Sequence, residues 1–466
     1  MKKHSKVTRS ATPTLSSLDA PLSQTGANEH ERLAGICEDV LKRIRARGAS
    51  DADVSATIDA GLDVNVRLGE VETITRNRDR GLAVTVYFGH RKGSASTADL
   101  AADSIEQTIE QACAIARYTE EDPANGLADA ELMAKDFPDL DLWHPWDITP
   151  EEAIELARRI EDAGRSSDER ISNSEGASVQ VGSSWSAEGN SRGFLASGRD
   201  TRHSMACALI AEDGEGMQRD FWYDAVRAAS DFAEPESIGR RAAERAVARL
   251  NARSLRTREA PVLFVPELAR GLIGSALAAV SGGSLYRRAS FLLDSVGTKI
   301  FPDFMQITER PRLLRGQGSG NFDADGVATR DADLVSNGVL QRYILGSYSA
   351  RKLGLPTTAN AGGVHNLLVA TGDDDFNAML RRMGTGLLVT ELMGQGVSVL
   401  TGDYSRGAAG FWVENGEIAY PVEEITIASN LKQMYQGIVA IGNDIDRRSH
   451  ISVGSMLIDR MMVAGE

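Results

Sequence analysis

Seven histidines, at positions 4, 30, 90, 144, 203, 365 and 450, are the first residues to test for chemistry, because imidazole serves both as metal ligand and as base near neutral pH. A catalytic zinc site usually takes two of them one helical turn apart plus a third ligand, and here no two lie closer than 26 residues. No local zinc motif is present. His365, in the glycine-rich run AGGVHN, is a candidate base or else a histidine satisfied within its own loop.

Other spacings imitate known sites. Asn321-Phe322-Asp323-Ala324-Asp325-Gly326 opens like an EF-hand loop, but position twelve is Ala332 rather than a bidentate Glu, so an Asp-Gly turn is the simpler reading. Ser349-x-x-Lys352 has the spacing of a lysine-activated serine without the accompanying SDN or KTG elements. Asp403, Tyr404 and Arg406 share the turn TGDYSRG, and Asp444 and Asp446 the turn GNDIDRRS; each group suits a ligand, or in the second case a pairing with Arg447 or Arg448. Neither GQGSG at Gly316 nor any other glycine cluster continues into Gly-Lys-Ser/Thr, so there is no P-loop.

The chain is long enough for two or three domains, at 466 residues with 42% hydrophobic content. Its net charge of −15 argues against a nucleic-acid or anionic-membrane surface. Residues 1–28 carry a basic start, no apolar leader core, and Ser/Thr/Pro richness, which reads as a disordered tail and not a secretory signal. No apolar run is long enough to span a membrane. Cys37, Cys113 and Cys207 show no CxxC spacing and read as buried thiols of a cytoplasmic protein.

The elements that must position these residues divide the chain in two. Apolar periodicity predicts helices over about 28–47, 101–118, 149 onward and 235–252, the third opened by a Thr149-Pro150-Glu151-Glu152 capping box. Between them, alternation with turn pairs from Asp53 to Phe88 predicts an antiparallel meander with one face solvated, and short polar-apolar alternations with Gly and Ser return from Ile171 to Tyr223. The fold class is therefore α+β: an N-terminal domain over 29–252 of helices on an antiparallel sheet, and a C-terminal β-rich, barrel-like or sandwich domain over 253–466. The latter opens with the strand PVLFV and a helix from Pro266 ended by Gly282-Gly283, beyond which almost everything reads as strand. Asp325-Gly326, Asn337-Gly338 and Asn415-Gly416 mark hairpins. Met383 to Asn430 is dense in glycine, which lets another backbone approach closely.

That last stretch, MGTGLLVTELMGQGVSVLTGDYSRGAAGFWVENGEIAYPVEEITIASNL, together with SLYRRASFLLDSVG, NAGGVHNL and GNDIDRRSHISVGSMLIDRMMVAG, resembles the TldD/PmbA family, in its PmbA (TldE) branch. The likeness runs from about Asp53 to Gly465. It implies a two-subunit cytoplasmic peptidase in which the TldD-type chain holds zinc through H-E-x-x-x-H and a late Cys. Here the corresponding residues are Pro266, Glu267 and Gly271, with Val453-Gly454 where the Cys would stand, so only Glu267 remains. The resemblance thus implies no zinc and no cofactor in this chain, zinc in a TldD-type partner, and unfolded or extended peptides as substrates. It further implies maturation of peptide antibiotics and regulated proteolysis touching DNA gyrase control.

Within that reading Glu267 has no metal-bound water to act on, and it suits the positive end of its helix. Gly394, Gly396, Gly402, Asp403, Tyr404, Arg406 and His365 are the candidate peptide-binding residues, the glycines through a strand edge open to backbone pairing. The alternatives are an autonomous peptidase with an unrecognised site and a homodimeric peptide-binding module.

Overall fold

The structure is a computed structural model that describes residues 28–214 and 216–465. The expected disordered tail, Asn28 apart, lies outside these residues.

The N-terminal half is one six-stranded antiparallel sheet with helices on one face. Its elements are α1 (Glu29–Ala46), β1 (Asp51–Arg67), β2 (Glu70–Phe88), β3 (Arg91–Thr97), α2 (Ala102–Tyr118), α3 (Pro150–Arg165), β4 (Ile171–Asn190), β5 (Leu195–Asp213), β6 (Gly216–Val226) and α4 (Pro235–Ala248). The strand order is β3-β2-β1-β4-β5-β6. Alternate residues of β1, from Ala52 through Ile58 to Val66, are buried, because successive side chains point to opposite faces and one face carries the helices. Leu33, Cys37 and Val40 of α1 and Ile109 of α2 pack on one end of that face; Ala157 and Ile160 of α3 and Ile238 of α4 pack on the other.

The strands from Ile171 to Tyr223 are far longer than the short alternations predict, β4 and β5 running 20 and 19 residues, and the meander's β1 and β2 run 17 and 19. Asp79-Arg80-Gly81 is paired throughout, and between β1 and β2 the chain reverses at Leu68-Gly69, both at positive φ. That reversal is held by Glu161 of α3, fully buried, whose carboxylate accepts the Leu68 and Gly69 N–H groups at 2.8 Å each. The Thr149–Glu152 capping box forms as expected. Helix α4 stops at Ala248, short of the expected 252, because Asn251 turns left-handed and Arg253 pairs with Val422.

The C-terminal half contains β7 (Arg258–Phe264), α5 (Pro266–Ala279), α6 (Gly282–Tyr286), β8 (Ile307–Glu309), β9 (Ala332–Ser336), β10 (Val339–Leu340), α7 (Ser347–Leu353), β11 (Leu367–Val369), α8 (Phe376–Met383), β12 (Gly386–Met393), β13 (Asp403–Glu414), β14 (Glu417–Asn430), α9 (Leu431–Gln436), β15 (Ile438–Ile441), β16 (Ile451–Ser452) and β17 (Met456–Ala464). The order β14-β13-β12-β7-β17-β15, with β14 also pairing β17, closes five strands on themselves. The barrel alternative is the one observed, and closure removes the free edges. Val262 and Phe264 of β7 pack with Leu272 and Ile273 of α5, while the intervening Leu263 faces Met379 and Leu380 of α8. A smaller sheet, β10-β9-β8-β11-β16, lies beside the barrel.

Two sequence expectations change here. Helices α6 to α9 interrupt what reads as continuous strand; each is at most eight residues long, too short for periodicity to show. Gly282-Gly283 does not terminate α5 but begins α6, where a side chain at Gly282 would stand 2.2 Å from Ser349 Oγ. The Asn337-Gly338 and Asn415-Gly416 hairpins form with positive φ at all four residues. Asp325-Gly326 makes a tight turn with a single flanking bridge, Phe322 to Ala328, rather than a stranded hairpin.

Candidate functional site

Helix α5 starts directly after β7, with Val265 as its cap and Pro266 and Glu267 in the first turn, so the strand end aims Glu267 out of the barrel wall. The Glu267 carboxylate accepts Arg448 Nη2 at 2.9 Å. Arg448 also donates from Nε to Asp446 at 2.8 Å and from Nη1 to the Tyr223 carbonyl at 2.9 Å. Its guanidinium lies 4.2 Å from the Trp222 ring centre and 4.4 Å from that of Tyr223. Burial works to lower the Arg448 pKa, yet Asp446, Tyr223 and Glu267 together raise it above the ordinary arginine value. Arg270, one turn along α5, reaches the same Asp446 at 3.3 Å and the Tyr223 hydroxyl at 3.2 Å. Pro266 and Gly271 offer no donor atom here, and Val453-Gly454 offers no thiolate.

A cavity of about 760 Å³ opens over this pair. Leu388, Phe411 and Ile418 of the barrel contribute apolar lining, and Arg245 of α4 and its C-cap Arg249 contribute charged lining. Among the described residues no three His, Cys, Asp or Glu side chains converge as a metal-binding group.

The residues expected to bind peptide fall in two places. Gly394, Gly396, Gly402, Asp403, Tyr404 and Arg406 form the β12–β13 connection and the start of β13. At Gly396 the backbone that approaches is the chain's own: a side chain there would sit 1.7 Å from the Ser405 carbonyl, and the Ser405 N–H donates to Gly396 O at 2.7 Å, whereas Gly402 meets the Asn430 and Phe291 side chains and Gly394 has open space. From Asp403 to Glu414 β13 is paired with β14, and from Gly407 onward with β12 as well, so the expected open edge is taken up by barrel closure. Asp403 is tied to Thr401 Oγ1 at 2.6 Å, and Tyr404 is a core residue whose phenol burial pushes up to about 12 against the nearby Arg406.

His365 lies apart from them. It gives its N–H to Glu309 Oε1 at 2.7 Å and its Nδ1 lies 3.3 Å from the same oxygen; Arg342 and Asn360 also bind Glu309. Burial acts to raise the Glu309 carboxyl, and the bonds from His365, Arg342 and Asn360 outweigh it and hold it below its usual range. The reading of His365 as satisfied within its surroundings fits this network. The other imitations dissolve likewise: Asp323 accepts three backbone N–H groups, from Asp325, Val327 and Ala361, while Ser349 donates to Gly346 O and Lys352 binds Asp122.

The Glu267–Arg448 pair was not visible in the sequence as a pair, since 181 residues separate its members and Trp222 comes from the other half of the chain. The one usable signal was the charge alternation around Asp446, which the structure resolves as an Asp446–Arg448 bond.

Known sequences bear on this arrangement. Three models of one metallopeptidase family match in order: PmbA/TldA metallopeptidase domain 1 over residues 52–116, its central domain over 143–250 and its C-terminal domain over 257–465. The chain belongs to the TldD/PmbA family, in its PmbA branch. It is 51% identical over 422 residues to the Metalloprotease PmbA of Escherichia coli O157:H7, covering 90% of this chain and 94% of that protein. The Metalloprotease PmbA homolog of Haemophilus influenzae is 47% identical over 91% of this chain and 94% of its own length. A crystal structure described as a putative modulator of DNA gyrase, from Bacteroides thetaiotaomicron, superposes with a TM-score of 0.89 at 26% identity, over 95% of this chain and all of that one. TldE from Thermococcus kodakarensis shares the fold, at a TM-score of 0.80 and 20% identity over 92% of this chain and 100% of that one. In this PmbA-branch chain, no helix among the described residues is long and apolar enough to cross a membrane.

Proposed function

We propose that this chain is the non-catalytic subunit of a two-chain zinc peptidase: it shapes a peptide channel and supports cleavage of unfolded peptides by a TldD-type partner that carries the metal. The observation that carries this reading is the Glu267–Arg448 pair. A general base must be free to take a proton, whereas the Glu267 carboxylate is spent on a guanidinium fixed by Asp446, Trp222 and Tyr223. The same guanidinium places a positive charge beside both Glu267 and Asp446, which is unfavourable for a divalent cation. With Pro266 and Gly271 as its neighbours, the set does not fit zinc. Three buried, unpaired thiols suit a reducing cytoplasm as the place of action.

The test is reconstitution. A TldD-type chain from the same genome is assayed on an unfolded peptide alone and with this chain; faster cleavage by the pair supports the reading, and equal cleavage overturns it. The relatives' name, Metalloprotease, favours a second reading in which this chain cleaves peptides by itself. Stoichiometric zinc in the purified chain together with turnover in isolation would decide for that reading.

A further inference from the structure

The helix-free face of the N-terminal sheet carries a trough of about 640 Å³ that the Glu267 cavity does not reach. Its floor is set by register. Gly61 of β1 stands opposite Gly182 of β4, with Asn77 of β2 on one side and Arg202 of β5 on the other, so the row across four strands reads Asn77-Gly61-Gly182-Arg202. Two facing glycines contribute no side chain of their own at the centre of the sheet; the Asn77 carboxamide leans over Gly61, while no side chain covers Gly182. A side chain at Gly61 would stand 2.7 Å from Asn77 Oδ1, and one at Gly182 3.0 Å from the Arg202 carbonyl.

The two ends of the trough differ in charge. Asp59 and Asp63 of β1 line one end, and Asp79 of β2, directly opposite Asp59 on the same face as Gly61, stands just outside the lining. Like charges placed directly across a sheet are destabilising. No Lys or Arg of β1, β2 or β4 shares this stretch of the face, where the residues from Ser55 to Asn65 and from Ser178 to Ser186 alternate through Ser, Thr, Asn, Gln, Asp and Gly. Among the described residues Asp59 makes no ion pair or side-chain hydrogen bond, and Asp79 only accepts from Asn77. At the far end Arg202 has no ion-pair partner among the described residues; it donates to the Gln317 carbonyl at 2.9 Å, beside Arg227, which binds the same oxygen and takes Asp200 for itself.

We infer that this trough binds a short extended peptide laid across the strands, with a basic side chain between Asp59 and Asp79 and a carboxylate at Arg202. Charge complementarity selects the occupant and its direction. Three inter-strand steps span about 14 Å, the length of about four extended residues, so the basic residue precedes the carboxylate by about four positions. The glycine floor lets the peptide backbone lie close to the sheet without regard to its intermediate side chains. The burial and neighbouring Arg227 charge that lower the Arg202 pKa accord with a guanidinium awaiting its anion.

This inference rests on the peptide-handling reading above, but its test does not. Fluorescence anisotropy of the full chain, without any partner, is measured with a labelled pentapeptide that begins with lysine and ends in a free carboxylate, and with versions that begin with glutamate or end in an amide. The expected result is about tenfold weaker binding for either altered peptide, falling further with salt. The Asp59→Asn/Asp79→Asn variant should lose about the same factor for the lysine peptide while its Tm stays level or rises, because a repulsive pair has been removed. Arg202→Gln should weaken the free acid and leave the amide unaffected. Equal binding of the lysine and glutamate peptides, no binding by the native chain, or unchanged affinity in the Asp59→Asn/Asp79→Asn variant would overturn the trough. A chain that binds as expected yet fails to stimulate a partner would leave the trough standing and remove the subunit reading.

Discussion

Glu267 and Arg448 meet at 2.9 Å although 181 residues separate them, and the guanidinium between them and the Trp222 and Tyr223 rings ties the N-terminal sheet to the barrel. Both side chains are mostly buried, at 20% and 12% exposure. Removing one partner leaves the other charged and poorly solvated, so Arg448→Gln should cost about 2–4 kcal/mol, discounted from the fully buried case. Glu267→Gln, which keeps an acceptor, should cost about 1 kcal/mol. Chemical denaturation of both variants and the double variant checks this; additivity of the two single effects would mean the pair is not coupled. Under the subunit reading, Glu267→Gln should leave cleavage by the partnered complex at its native rate.

A second prediction concerns pH. Burial, followed by mutual repulsion, pushes the Glu188 carboxyl up to about 7, beside Asp53 and Asp323 at about 6. In the unfolded chain such groups release their protons near about pH 4. Between those values the folded state holds more protons than the unfolded one, so these groups reduce stability as pH rises through the window. Glu188→Gln should flatten the decline in Tm between about pH 4 and about pH 7, worth on the order of 1–3 kcal/mol at the upper end. Parallel Tm profiles of variant and native chain would contradict it.

Glu161 should behave as a structural clamp. Its buried carboxylate is the acceptor for two N–H groups at the Leu68-Gly69 turn. Glu161→Ala therefore strands both donors and should cost about 2–4 kcal/mol, with faster amide exchange at that turn as the local signature. Unchanged exchange there would show that the turn holds without it.

The glycines of the β12–β13 region should separate by geometry. A side chain at Gly410 would stand 1.9 Å from the Leu388 carbonyl of the neighbouring strand β12, whereas Gly394 has open space and a φ of +76°. Gly410→Ala should cost more than about 3 kcal/mol or prevent folding. Gly394→Ala should cost about 1 kcal/mol, the strain of a left-handed residue alone. Urea midpoints of the two variants decide between this ranking and its reverse.

Local chemistry in the sequence determined the helix starts at Thr149 and Pro266, the Asn-Gly hairpins and the α+β class, because caps, turns and periodicity act over a few residues. The TldD/PmbA family was legible too, in long strings such as GNDIDRRSHISVG. Strand length was not legible, since alternation looks the same whether a strand stops at Asp79 or pairs through it. Only the tertiary structure decided that the glycine-rich stretch closes a barrel on the chain's own backbone, that Arg448 occupies Glu267, and that Gly61 faces Gly182. Each of these is a pairing between segments distant in sequence, fixed by register and packing rather than by the identity of neighbouring residues.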